Sequence, residues 1–216
     1  MKNNNNPKME LAKGIYGITA ERFSLGRTNI QVAEEMIRGG VTTIQYREKK
    51  HQKRVGEMLI ECQQIRALTR KHGVTFIIND HVDLALLVDA DGVHVGQEDL
   101  PVEAVRKLIG DDKIIGLSTH CPEHAERAVA VGADYIGVGP IYTTQTKEDV
   151  CAAVGLEYLE FVAKNCPLPF VAIGGIKEHN IHEIVSRGAK TICLVTEIVA
   201  SDDISATVSR LRNSLS

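Results

Sequence analysis

Gln45, Arg47 and Lys49 recur at every second position through the segment QYREK, residues 45–49. In an extended chain this spacing puts an amide and two cations on one side. Such a trio suits a heterocycle that carries a charged phosphate group. A solvated charge run is the other reading, because the basic residues continue through Lys50, His51, Lys53 and Arg54. Asn79 and Asp80 close the apolar stretch VTFIIND, and Asp99 lies just beyond GVHVGQE. Two carboxylates from neighbouring strand ends make a hard oxygen site, suited to Mg²⁺ held jointly with substrate phosphates. The same aspartates also fit helix caps, Asp80 ahead of residues 82–88 and Asp99 ahead of Pro101.

Later segments offer anion-holding material. TTQTK, residues 143–147, supplies hydroxyls, backbone amides and Lys147 in a loop that follows Gly139 and Pro140. Gly174-Gly175 and Val195-Thr196 each follow an apolar run, although a glycine pair also marks an ordinary turn. Ser118 and His120 suggest hydrolase chemistry, but a two-residue separation makes no triad and no GxSxG elbow is present. His94 lies inside an apolar run and reads as a packed core histidine. The five cysteines lack CxxC spacing and read as reduced thiols, with Cys62 and Cys193 at apolar packing positions.

These polar groups share one position. Each comes at the C-terminal end of a strand-like run, and there are eight such runs: 14–19, 42–49, 74–80, 92–99, 113–120, 133–147, 169–176 and 190–197. A parallel sheet has all its C-terminal strand ends on one side, so chemistry scattered along the chain collects into one site. Helical patterns alternate with the runs. Residues 29–38 put Ile30, Ala33, Met36 and Ile37 on one face and stop at Gly39-Gly40. Residues 52–71 stop at Gly73, 100–109 start near Pro101 and stop at Gly110, and 122–131 stop at Gly132. Residues 156–164, 178–187 and 204–211 complete the set, the last with a cap available from 201–203. This alternation predicts an α/β fold, a single-domain (β/α)₈ TIM barrel with its site at the C-terminal face. An open doubly wound sheet fits less well, since no GxGxxG follows the first run.

With 216 residues, 44% hydrophobic and 25% charged, the chain suits one globular domain. A net charge of -3 leaves no global polycation for nucleic acid, and no apolar run approaches a membrane span. The start, MKNNNNPK, has no apolar core of a signal peptide. Residues 1–10 are expected to be a disordered tail before a barrel of residues 11–216, in a cytoplasmic protein that acts on small molecules. Homo-oligomerisation is left open.

The series QYREK, IIND, HVGQED, GLSTH, GADYIGVGPIYTTQTK and VAIGGI, in this order and spacing, resembles the thiamin phosphate synthase family from about Tyr16 to Ile198. The resemblance implies a barrel that joins 4-amino-2-methylpyrimidine-5-methyl diphosphate to a carboxylated thiazole phosphate, releasing diphosphate and CO₂. It implies that the segment Gln45, Tyr46, Arg47, Glu48 and Lys49, with Asn79, holds the pyrimidine diphosphate. It further implies Mg²⁺ on Asp80 and Asp99, diphosphate on Ser118 and Lys147, and thiazole phosphate on Thr144, Thr146, Gly175, Val195 and Thr196. Arg47, Lys49, Ser118 and Lys147 would carry the catalytic charge. Residues 143–150 are the expected lid. The chain departs from the family pattern where Thr143 replaces a frequent proline, Thr196 a frequent serine and Glu197 a small residue; Glu197 is expected to point away from phosphate. Two other readings stand beside this one: a thiazole tautomerase-like isomerase using His120, and a non-catalytic sensor of thiazole or thiamin phosphates.

Overall fold

The computed structural model describes residues 10–49, 53–146 and 151–215. Lys147, Lys50, His51, most of the expected tail and the second half of the expected lid lie outside the described residues.

Eight parallel strands close on themselves in sequence order: β1 (Gly14–Ile18), β2 (Thr43–Tyr46), β3 (Thr75–Asn79), β4 (Gly92–Val95), β5 (Ile114–Thr119), β6 (Tyr135–Val138), β7 (Phe170–Ile173) and β8 (Thr191–Leu194). β8 returns to β1 with Gly14 opposite Thr191. The strands are shorter than their apolar runs. Arg47 and Lys49 therefore sit just beyond β2, and residues 139–146 form a loop beyond β6.

Helices cover the outside: α1 (Asn29–Gly39), α2 (Val55–His72), α3 (Val82–Leu87), α4 (Val102–Ile109), α5 (Pro122–Ala130), α6 (Gly155–Asn165), α7 (Ile181–Ser186), α8 (Thr196–Val199) and α9 (Ile204–Asn213). Thr28 and Gln31 form a capping box that starts α1, and Gly40 ends it in the left-handed region. Val32, absent from the expected apolar face, is fully buried there. Asp203 caps α9 through the Ala206 amide, as the sequence suggested. Three boundaries differ from expectation. Helix α2 starts at Val55, because Arg54 before it is extended and Glu57 reaches back to accept from the Arg54 amide at 3.2 Å. Helix α7 starts at Ile181, because Asn180 folds the preceding turn by accepting from the Lys177 amide. Helix α4 starts at Val102 rather than at Leu100, with Pro101 as the residue before it. The short α8 was not expected; it occupies residues that the sequence pattern assigned to the end of the last strand.

Two apolar layers result. The larger lies between sheet and helices, and the smaller fills the barrel with Tyr16, Ile18, Ile77, Ile114, Tyr135, Val171 and Cys193. Gly116 makes room inside: a Cβ there would lie 2.1 Å from the Tyr135 ring and 2.4 Å from His94 Nδ1.

The N-terminal rim is closed by ion pairs that also bind backbone. Asp91, just before β4, accepts from both Arg66 guanidinium nitrogens at 2.7 Å and from the Phe76 amide at 2.8 Å. Asp134, just before β6, accepts from Arg106 and from the Ile115 amide at 2.7 Å. Each carboxylate thus ties the start of its own strand to the start of the one before.

Candidate active site

A cavity of about 1300 Å³ opens at the C-terminal face. Every described site residue expected from the sequence lines it except Tyr46. Tyr46 faces the helices, where its hydroxyl donates to Glu61 at 2.6 Å; strand alternation accounts for this, since its neighbour Gln45 faces inward. Glu48 touches the cavity edge, but one carboxylate oxygen accepts from the Glu21 amide and Asn29 Nδ2, both at 3.0 Å. Its role is to tie the QYREK segment to the turn after β1. Thr19 does the same for the cationic side: its hydroxyl accepts from the Arg47 amide at 3.0 Å.

The floor of the cavity is a continuous row of hydrogen-bonded polar groups. Gln45 Nε2 donates to the Tyr16 hydroxyl at 2.8 Å, which meets the Tyr135 hydroxyl at 3.1 Å. Tyr135 meets His94 Nδ1 at 3.0 Å, and His94 Nε2 meets Ser118 Oγ at 3.0 Å. Burial pushes both phenols well above the ordinary tyrosine range, so they stay protonated. His94 is thus a cavity residue and not the packed core histidine expected. Tyr16 and Tyr135 were missed as well; alternation along their strands was the available signal, but nothing in the sequence pairs them. Ser118 bonds to His94 rather than His120, whose Nδ1 lies 2.6 Å from the Gly139 carbonyl.

Above this floor the rim carries charge. Lys49 Nζ donates to Asp80 Oδ2 at 2.9 Å. Asp80 adopts a positive φ of 58°, which aspartate tolerates better than most residues and which turns the chain sharply after β3. Burial raises its carboxyl, but the Lys49 ammonium outweighs burial, and the net position is below the usual range. Asp99 lies beside it, within hydrogen-bonding reach of its carboxyl group, and accepts from the Gly96 amide at 2.7 Å. Burial raises the Asp99 carboxyl, the Gly96 amide opposes, and the negative charge of Asp80 raises it further. Neither aspartate caps a helix: His81 precedes α3 and Pro101 precedes α4, both without a side-chain cap. Of the two readings open at the sequence level, helix capping is the one this geometry does not support.

Among the described residues, no group of three or more His, Cys, Asp or Glu gathers as a ready metal nest. Two carboxylates beside a cationic segment nonetheless fit Mg²⁺, which is commonly held by one or two carboxylates with substrate phosphates and water completing the shell.

The opposite half of the cavity is built from the loops after β6, β7 and β8. Thr144 and Thr146 bring their hydroxyls within 3.1 Å of each other. Gly175 has φ +65°, and a Cβ there would lie 2.7 Å from Tyr142 Cβ, so glycine permits both the turn and the close loop packing. Val195 and Thr196 line the wall beside it. Glu197 turns away from the cavity, accepting from the Glu178 amide at 2.9 Å and pairing with Lys177 at 3.0 Å. Arg22, on the turn after β1, lies over the Phe23 ring and reaches the Thr146 carbonyl at 3.4 Å. It bridges the two halves of the rim, a role that no local sequence pattern signals.

Comparison with known proteins places these features in one family. The family model described as "Thiamine monophosphate synthase" matches residues 15–198. A protein named thiamine-phosphate synthase from Pelotomaculum thermopropionicum is 64% identical over 94% of this chain and 92% of its own length. One of the same name from Caldicellulosiruptor saccharolyticus is 52% identical, again over 94% and 92%. Among solved structures, a thiamine phosphate pyrophosphorylase from Pyrococcus furiosus superimposes with a TM-score of 0.85 at 34% identity, covering 94% of this chain and 95% of that one. A 3-hexulose-6-phosphate synthase superimposes with a TM-score of 0.68 at 15% identity and shares the fold alone.

Proposed function

The chain belongs to the thiamine monophosphate synthase family, and on that premise we propose that this enzyme joins 4-amino-2-methylpyrimidine-5-methyl diphosphate to a carboxythiazole ethyl phosphate. The products are thiamin phosphate, diphosphate and CO₂. One observation carries the reading: the cations Arg47 and Lys49 meet the Asp80–Asp99 pair on one side of a cavity whose other side is built of threonines and glycines. A diphosphate and a monophosphate thus each find a matching wall, with a hydrogen-bonding floor between them for flat heterocycles.

The reaction needs a stable leaving group more than a base. The bond between the pyrimidine methylene carbon and the diphosphate oxygen breaks with its electron pair going to oxygen. The remaining carbon cation is stabilised by the ring and its 4-amino group. Arg47 and Lys49 stabilise the charge that collects on the departing diphosphate, as Lys147 would from the adjoining loop. Removing one such group costs about 3 kcal/mol, roughly a hundredfold in rate. Mg²⁺, when held by Asp80 and Asp99, supplies a further positive charge to the diphosphate oxygens. Gln45, Tyr16 and Tyr135 offer the pyrimidine a fixed row of hydrogen-bonding atoms, so that little reorganisation accompanies ionisation. The thiazole nitrogen then shares its lone pair with the carbon, and loss of CO₂ leaves its electron pair on the thiazole, which takes up a proton from solvent to give thiamin phosphate. Water would compete for the cation, so the loop that carries Thr144 and Thr146 serves as cover.

The test is direct. The protein is incubated with both substrates and Mg²⁺, and thiamin phosphate and diphosphate are assayed. Equimolar formation of the two is expected. Binding of the thiazole phosphate without turnover would instead favour a sensor, and isomerisation of the thiazole alone would favour a tautomerase.

A further inference from the structure

The residues expected to hold the thiazole phosphate are all uncharged, yet a phosphate monoester brings a charge close to two. From β6 round to β8, the described residues that line the cavity include one lysine or arginine, Lys177. It follows Gly175 by two positions, on the turn between β7 and α7. That turn is braced from both sides: Asn180 accepts from the Lys177 amide at 2.7 Å and donates to the Gly175 carbonyl at 3.2 Å. The Lys177 ammonium reaches across to the start of α8, where it lies 3.4 Å from Thr196 Oγ1 and 3.0 Å from Glu197.

We propose that Lys177 is an additional phosphate-binding residue of the second-substrate site, held ready beside Thr196 by Glu197. The inference rests on the function proposed above. An ammonium has three donors, and the two contacts with Glu197 and Thr196 leave one for a phosphate oxygen. Glu197 explains itself in this arrangement. Its other oxygen is occupied by the Glu178 amide, and Glu178 is in turn paired with Arg210 at 3.2 Å. The carboxylate is thereby fixed on the helix side, where it positions the ammonium without facing the ligand. A carboxylate beside a phosphate is unfavourable on its own; with Lys177 in place the pair presents its positive end to the cavity.

Binding of the thiazole phosphate and of the corresponding thiazole alcohol is measured by calorimetry for the wild-type protein, Lys177→Gln and Glu197→Gln. Inorganic phosphate serves as a third ligand. Hydrogen bonds to charged groups set the expected scale. Lys177→Gln should weaken thiazole phosphate about 10- to 100-fold while changing alcohol binding less than about twofold. Inorganic phosphate should weaken in the same variant. Glu197→Gln should weaken the phosphate far less than Lys177→Gln, since the lysine keeps its charge and the glutamine oxygen still accepts from the ammonium. Equal weakening of phosphate and alcohol, or no change in either, would overturn the proposal, as would weakening by Glu197→Gln equal to that by Lys177→Gln. A wild-type protein that makes no thiamin phosphate overturns the parent reading instead; Lys177 is then judged on inorganic phosphate, where an unchanged affinity in Lys177→Gln counts against it.

Discussion

At the N-terminal rim, Asp91 takes two bonds from Arg66 and a third from the Phe76 amide, with both side chains only 11% exposed. At the C-terminal rim, Asp80 takes one bond from a Lys49 that is 41% exposed and lies against a second carboxylate, Asp99, at the wall of the cavity. The residue types are nearly the same. What differs is the rest of the coordination. The lower carboxylates are tied to the amides that start neighbouring strands, so their bonding capacity goes into closing the barrel. The upper ones are arranged around open space, and their imbalance of charge is answered by whatever enters. An aspartate-cation pair is therefore structural or functional according to the third partner, and that partner is supplied by the fold.

This contrast is broken most forcefully by removing metal. Turnover should fall below detection in excess EDTA with metal-free protein and return with Mg²⁺, while the thermal midpoint changes little. Full turnover by protein shown metal-free by elemental analysis would remove Asp80 and Asp99 from the proposed site. At the lower rim the effect should reverse in kind. Arg66→Ala leaves Asp91 buried without its cation and should cost about 3 kcal/mol, lowering the midpoint by roughly 6–12 °C. Its kcat at 25 °C should stay within about threefold of wild type. A large kcat loss with unchanged stability would show that the rims are not separable.

The smallest effect sharpens the same contrast by pH. Lys113, with help from Arg70, holds the Asp89 carboxyl below its usual range. A depressed carboxyl stabilises the fold above the unfolded value, about pH 4, and loses that contribution as pH falls through the folded one. Asp89→Asn should therefore destabilise at pH 7 by less than about 1 kcal/mol, since the Asp89 carboxylate itself is largely exposed. The difference from wild type should close near pH 2–3 in urea titrations. A difference that persists there would assign the effect to packing rather than charge.

The barrel was legible because each strand-like run ends in polar or glycine residues and several helices stop at or beside a glycine with positive φ, such as Gly40 and Gly73. Those signals are local and survive without knowledge of the fold. The charged rim was legible for the same reason: Gln45, Arg47 and Lys49 are near neighbours in sequence. The floor was not. Tyr16, Tyr135 and His94 come from three strands, and only barrel closure brings their polar atoms within 3.1 Å. His94 was misread because a histidine inside an apolar run looks the same whether its ring meets side chains of the core or of a cavity. Tyr46 was carried along with its segment, although alternation alone turns it to the helices. Glu197 and Lys177 lie twenty positions apart, and their pairing depends on the braced turn after β7.

The central claim is that the charges at the C-terminal rim act on the departing diphosphate and not on the fold. Its most direct test is the kcat of Lys49→Ala, measured with both substrates and Mg²⁺ beside the thermal midpoint of the same preparation. The account predicts a fall of roughly a hundredfold in kcat, with a midpoint within a few degrees of wild type. An unchanged kcat with a raised KM for the pyrimidine diphosphate would make Lys49 a uniform binding contact and contradict the claim.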